Sequence, residues 1–393
     1  MATLKTNILG IDFENPFLLA SAPPTALIES IDIAFAMGWG GAVLKTITPD
    51  DLKMIEASPR YIVLKDKKYI IGFQNIELLS HHTIKYWCDG IKFLKQKYPT
   101  KVIIASIMAP VNKKAWQDIV KTFNNTPADA FELNFSCPHG MPEKGIGMAI
   151  GTDAEISAQI TNWVKEVAQK PVFVKLSPNV SNITAIAQAV ENAKADGLAA
   201  INTVQGFMGL DLNTLRPMLD VNGKTTYGGC SGPMVRPIGL RCVSQIRQAS
   251  NLPILGMGGI SSWEDAAQYI AAGADAVQVC TEVMLNGYKI IAPMLKGLQN
   301  YLEEKGFADI NSLKNKALEV ITMHKDLQKT PLAYPQINHE KCGRCGKCVN
   351  ICMESEHQAL QLNEGNIVVD KAKCVGCGLC QFVCPAGAIC NKS

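Results

Sequence analysis

Nine of the fourteen cysteines lie in the last 52 residues, and eight of those nine repeat one spacing twice. "CGRCGKCVNIC" sets out Cys342, Cys345, Cys348 and Cys352; "CVGCGLCQFVCP" sets out Cys374, Cys377, Cys380 and Cys384. Both are C-x2-C-x2-C-x3-C, a spacing that lets three thiolates close around one face of an iron–sulfur cube while the fourth serves the other cube. The expected ligand sets are therefore Cys342, Cys345, Cys348 and Cys384 for one 4Fe–4S cluster, and Cys374, Cys377, Cys380 and Cys352 for the second. A pair of zinc sites is the alternative, but zinc is satisfied by any four ligands and has no use for the internal repeat. Without a secretory signal, such a local cluster points to metal and not to disulfides. Met353 stands where the first motif usually has Pro, and Cys390 falls outside the pattern.

The tail thus reads as a bacterial-type ferredoxin domain over 332–393, entered through "LQKTPLAYPQINHE", which carries two prolines and no helical period. The preceding 1–331 are long enough for one large domain. An apolar content of 47% supports a substantial core, and a net charge of +3 shows no bias toward nucleic acid or membrane surfaces. No apolar run approaches the roughly 20 residues of a membrane span. "MATLKTNILGIDF" lacks the zones of a signal peptide. The expectation is a soluble, cytoplasmic protein.

Within 1–331, short apolar runs alternate with longer stretches of helical character. The strand candidates are "PFLLASA" (16–22), "GAVLKTI" (41–47), "KVIIASI" (101–107), "AFELNFS" (130–136), "PVFVKLS" (171–177), "GLAAINTV" (197–204), "LPILGMG" (252–258) and "DAVQVCT" (275–281). Continuous apolar runs bounded by turns belong to strands buried on both faces of a parallel sheet. Eight such units fit an α/β fold of the (β/α)8 TIM-barrel type, with a doubly wound open sheet as the runner-up.

Chemistry in such a barrel sits at the carboxyl ends of the strands. Those ends carry Ser21, Lys45, Asn112 in the loop after the third strand, Asn134 with Cys137, Lys175, Asn202 with Thr203, Met257-Gly258-Gly259, and Cys280-Thr281. Amides and hydroxyls dominate, with two lysines and no carboxylate at the immediate ends. Gly258 and Gly259 precede one helix start and Thr281 opens another, so backbone N–H groups and helix dipoles favour a phosphate there. "YGGCSG" (227–232) offers further approachable amides. Iron–sulfur clusters pass single electrons whereas most organic redox substrates change by two; a flavin bridges that mismatch, and a mononucleotide needs one phosphate pocket. No G-x-G-x-x-G follows a strand candidate to open a helix, so no nicotinamide site is read here.

At this point the residues resemble a family. "ASA", "LKT", "IIASIM…N", "ELNFSCPHGM", "VKLSPNV", "NTVQGFMGL", "TYGGCSG…RPI" and "VQVC", in this order and ahead of a ferredoxin tail, are similar to the dihydropyrimidine dehydrogenases, specifically their bacterial FMN/iron–sulfur subunit. That subunit corresponds to the C-terminal half of the fused eukaryotic enzyme. The resemblance implies reduction of uracil and thymine to their 5,6-dihydro forms. It implies FMN on this chain, a partner subunit carrying FAD, the NAD(P)H site and further clusters, and a homodimer within a heterotetramer. It makes Cys137 the general acid, and Asn112, Asn134, Asn202 and Thr203 the pyrimidine contacts. Ser21, Lys45, Lys175, Gly232, Met257, Gly258, Gly259, Cys280 and Thr281 would contact FMN, with Met257 replacing a common Thr.

The residue chemistry agrees with these roles. An Asn amide matches a neutral pyrimidine edge with one donor and one acceptor group. Hydride from flavin nitrogen 5 to carbon 6 leaves carbon 5 in need of a proton. A thiol with a pKa of about 8.5 is mostly protonated at pH 7 and can supply it. The glycines around Cys137 suit a loop that closes over the ring, carrying His139 with it. Two enzyme alternatives share the FMN barrel. One is a dihydroorotate dehydrogenase-type flavoenzyme, which does not usually carry such a tail. The other is a tRNA dihydrouridine synthase, against which the weak net charge counts. A non-catalytic electron-transfer subunit is the third alternative.

Overall fold

The computed structural model of the protein describes residues 2–52, 55–135 and 147–392. The chain divides into two compact units, Met1–Ile321 and Thr322–Ser393. The sequence reading set the boundary at 331/332; the intervening stretch 322–332 is exposed and carries only the short turn His324–Asp326, so it adds nothing to the larger core.

In the larger unit eight parallel strands close into a barrel: β1 (Phe17–Leu19), β2 (Gly41–Val43), β3 (Val102–Ile107), β4 (Ala130–Asn134), β5 (Val172–Leu176), β6 (Gly197–Ala200), β7 (Ile254–Met257) and β8 (Ala276–Val279). Each lies inside one of the eight apolar runs, and each pairs with its neighbours in chain order, β8 closing on β1. The open doubly wound sheet is thereby excluded.

Successive strand side chains point to opposite faces. Leu18, Val43, Val102, Ile104, Ala130, Phe173, Ala199, Leu255 and Ala276 accordingly fill the barrel interior, where Ile8 and Phe13 of an N-terminal hairpin join them. The alternate residues, among them Phe17, Leu19, Ile103, Phe131, Leu133, Val172, Val174 and Val277, pack outward in a second core with Trp39, Trp87 and Trp116.

The outer helices are α1 (Ile28–Ala36), α2 (Ile84–Lys97), α3 (Lys113–Asn124), α4 (Ala154–Lys165), α5 (Ile183–Asn192), α6 (Arg236–Ala249), α7 (Trp263–Ala271) and α8 (Ile291–Glu304). Thr83, Asn112, Asp153, Asn182 and Ser262 cap α2, α3, α4, α5 and α7, each side chain accepting an otherwise unpaired backbone N–H of the first turn.

One further sheet, absent from the sequence reading, is built from the loops that follow β2 and β6. Its strands run antiparallel in the order Val204–Gly206, Gly228–Ser231, Tyr69–Asn75, Tyr61–Asp66.

The smaller unit holds two antiparallel strand pairs, Tyr334–Ile337 with Ile389–Lys392 and Leu360–Asn363 with Asn366–Val369. Its helices Lys347–Glu354 and Leu379–Phe382 each follow a left-handed glycine, Gly346 (φ 70) and Gly378 (φ 80). That conformation costs glycine no Cβ clash, and it appears at the same place in both cysteine motifs. Leu360, Ile367 and Ile389 pack with Cys348 and Cys380 in its core.

Candidate active site

The carboxyl end of the barrel opens into a cavity. Ser21, Lys45, Asn134, Lys175, Asn202, Thr203, Gly232, Met257, Gly258, Gly259, Cys280 and Thr281 all line it. Of the residues named from the sequence, Cys137 and His139 lie outside the described residues, and Asn112 does not line the cavity. Asn112 is exposed and spends its side chain on α3, its Oδ1 accepting the Ala115 N–H at 3.0 Å. A capping Asn was legible in the sequence, because it sits immediately before a helical stretch. Asn112→Ala should cost about 1 kcal/mol of stability in urea denaturation, with ligand affinity at the cavity unchanged. A large affinity loss would show that Asn112 contacts the ligand as well as capping α3.

Thr46, which the sequence reading did not single out, is the hub of the neutral network. Its hydroxyl lies 3.0 Å from Ser21 Oγ and 3.0 Å from Ser106 Oγ, and accepts from Asn134 Nδ2 at 2.9 Å. Asn202 Nδ2 donates to Asn134 Oδ1 at 3.2 Å, and the Thr203 N–H donates to Asn202 Oδ1 at 2.8 Å. These bonds orient both amides, so a ligand edge meets a fixed arrangement of donors and acceptors.

Charge enters in compensated pairs. Lys45 Nζ lies 3.4 Å from Glu77 Oε1, and the Tyr61 hydroxyl donates to the same carboxylate. Burial, with Glu77 beside it, pushes the Tyr61 hydroxyl above its ordinary pKa. Lys175 Nζ lies 3.5 Å from Glu132 Oε1. Gln278 Nε2 donates to Glu132 Oε2 at 2.9 Å, while Gln278 Oε1 is buried and accepts from no described residue. The strand ends themselves carry no carboxylate, yet Glu132 sits one strand repeat below Asn134 on the same face, and Glu77 follows the added sheet. Burial pushes the Cys280 thiol up to about 11, against the pull of Lys175 and Lys45, so it is protonated at neutral pH.

The opposite side of the cavity is backbone. Gly232, Gly258 and Gly259 all have positive φ (90°, 125° and 77°). A Cβ on Gly259 would lie 2.5 Å from the Gly232 carbonyl oxygen, so only glycine lets the two loops approach. Asp265 holds the loop after β7, pairing with Arg236 and accepting from Ser261 N and Oγ at 2.9 and 2.7 Å. Thr281 Oγ1 lies 3.0 Å from Ser231 Oγ across the same rim. Met257 adds its side chain to the barrel interior cluster. Apolar wall residues Ala20, Ile201, Val235 and Ile260, a glycine cradle and an orphaned acceptor at Gln278 suit a planar heterocycle with an anionic tail.

In the smaller unit, Cys342, Cys345, Cys348 and Cys384 line one cavity, and Cys352, Cys374, Cys377 and Cys380 line another. Cys390 lines neither. Cys352 Sγ accepts the Ala359 N–H at 3.2 Å, and Cys384 Sγ the Ala388 N–H at 3.3 Å. Among the described residues no three His, Cys, Asp or Glu converge as around a single metal ion. The thiols stand around open volumes, a donor set and spacing that fit iron–sulfur clusters.

Comparison with known proteins matches both units. The family model described as dihydroorotate dehydrogenase covers residues 3–302, and that described as 4Fe-4S dicluster domain covers 335–390. The NAD-dependent dihydropyrimidine dehydrogenase subunit PreA of Escherichia coli is 38% identical over 98% of this chain and 94% of its own length. The chloroplastic dihydropyrimidine dehydrogenase (NADP(+)) of Arabidopsis thaliana is 36% identical over 83% of this chain and 79% of its own. The catalytic subunit of dihydroorotate dehydrogenase B (NAD(+)) of Pyrococcus abyssi is 36% identical; all of it aligns, but with 81% of this chain. Among the described residues no helix is long and apolar enough to cross a membrane. Similarity at this level, running through barrel and cysteine tail alike, establishes that the chain belongs to the dihydropyrimidine dehydrogenase family, a family of flavin- and iron–sulfur-dependent oxidoreductases.

Proposed function

We propose that this chain is the catalytic subunit of a dihydropyrimidine dehydrogenase, reducing uracil or thymine to the 5,6-dihydro base. It would carry FMN in the barrel and two 4Fe–4S clusters in the tail. The observation that carries this reading is the oriented amide pair Asn134–Asn202, set over a floor whose two lysines each have a carboxylate partner. Such a surface suits a neutral ring with alternating donors and acceptors better than a carboxylate-bearing one. The similarity to the Escherichia coli subunit, extending through the tail where that to the dihydroorotate dehydrogenase subunit covers less of the chain, supports the same choice.

FMN, when bound here, would supply hydride chemistry for carbon 6 of the base. Ser21, Lys45, Lys175, Gly232, Met257–Gly259, Cys280 and Thr281 would hold it, the glycine loops around its phosphate and the lysines beside its ring. Asn134, Asn202 and Thr203 bind the pyrimidine edge and fix the face it presents. The Cys137 thiol gives its proton to carbon 5, and the thiolate recovers a proton from water. The eight tail cysteines would hold clusters that supply single electrons taken from a partner subunit binding FAD and NAD(P)H.

Asn134→Ala and Asn202→Ala test the substrate edge. Leaving one polar ring group unpaired costs about 1–3 kcal/mol, roughly a five- to 150-fold loss of uracil affinity. A flavin spectral titration reads it directly, and FMN content should change little. Undiminished uracil binding in both variants would remove the amides from the site.

A further inference from the structure

Beneath the cavity, four strands contribute one polar layer to an otherwise apolar barrel interior: Ser106 from β3, Glu132 from β4, Lys175 from β5 and Gln278 from β8. Glu132 is 0% exposed, Gln278 1% and Lys175 4%. Lys175 and Gln278 line the cavity; Glu132 stands behind them. A carboxylate this deep persists only where hydrogen bonds and an opposite charge meet it. Here they are Gln278 Nε2 at 2.9 Å, Ser106 Oγ at 3.4 Å and Lys175 Nζ at 3.5 Å.

The network fixes two features of the cavity floor. It sets a negative charge against the Lys175 ammonium. It also commits the Gln278 amide nitrogen to Glu132, which leaves Gln278 Oε1, buried and without a described partner, as a pure acceptor in the cavity lining.

We propose that Glu132 is the residue that sets the reduction potential of the flavin bound above this floor, acting through Lys175 and Gln278. The inference rests on the reading of the cavity as an FMN site. Reduced flavin at neutral pH carries more negative charge than oxidised flavin. A bare ammonium at Lys175 therefore favours the reduced form, and in an interior of low effective dielectric its influence is weakly screened. Glu132 cancels much of that influence. It keeps the potential lower than Lys175 alone would make it, and a flavin at lower potential is the stronger hydride donor. Glu132 touches neither cofactor nor substrate in this scheme; it is a positioning and charge-compensating residue.

The test uses the full chain loaded with FMN, whose affinity is first measured by quenching of flavin fluorescence. Midpoint potentials of the bound flavin are then compared by dye-equilibrated reduction. Glu132→Gln keeps the shape and the Gln278 bond but removes the charge. It should raise the preference for reduced over oxidised FMN at least tenfold, or about 30 mV for a two-electron couple. Lys175→Met should shift the potential the other way, Glu132→Asp should stay near the parent, and the double variant E132Q/K175M should lie above K175M. If Glu132→Gln does not fold, the double variant, which removes both buried charges together, makes the same comparison against K175M. A potential unchanged or lowered by removing the Glu132 charge, with FMN still bound, overturns the proposal and leaves the FMN site standing. Failure of the parent chain to bind FMN overturns both.

Discussion

Cys137→Ala is expected to lower uracil reduction by roughly 10²–10⁴-fold, the usual contribution of a positioned proton donor. FMN and iron content should be unaffected. The thiol is three residues beyond Asn134, the end of β4, whose side chain is oriented into the cavity by Thr46. The pyrimidine would be held at that amide, so a proton donor for carbon 5 belongs on the chain that continues from it. The bound flavin of the variant should still be reduced by dithionite, since nothing in its pocket is removed. Turnover within a few-fold of the parent at pH 7 would make Cys137 a packing residue and require another acid.

The second large effect lies at the other end of the chain. Cys377→Ser should abolish most of the nicotinamide-coupled reduction in the presence of the partner subunit, while uracil reduction by chemically reduced FMN survives. Cys377 lines a cavity with Cys352, Cys374 and Cys380, in a unit with its own core. Loss of one thiolate would therefore damage one proposed cluster while leaving the residues of the barrel core unchanged. Electron paramagnetic resonance of the reduced protein should show one cluster signal lost. Both activities failing together, with FMN retained, would mean that the clusters also shape the pyrimidine site. Robust nicotinamide oxidation by this chain without a partner would contradict the two-subunit path.

The two predictions draw on parts of the molecule that were unequally legible. The barrel could be read because parallel strands covered on both faces leave uninterrupted apolar runs, and all eight appear where those runs stand. The cysteine groupings could be read because ligand spacing is local. Twelve of the residues that line the cavity could be read, most of them because they sit at strand ends. Glu132 could not be read that way, for its function depends on which face of β4 it occupies and on Gln278 from the far side of the barrel. A charged residue inside "AFELNFS", in phase with Asn134, was the available signal. The added antiparallel sheet was missed because "YIVLKDKKYIIGF" is charged at its turn and only half-buried, so it lacks the continuous apolar signature. Asn112 shows how one residue type serves two readings. An Asn beside a strand end has two uses, and here its oxygen is engaged by the first turn of α3.

The most direct measurement is a single turnover. The FMN-loaded chain is photoreduced without oxygen and mixed separately with uracil and with orotate, while flavin absorbance and product are followed. Reoxidation by uracil with stoichiometric dihydrouracil, and none by orotate, is the predicted result. Reoxidation by orotate with uracil inert would contradict the assignment.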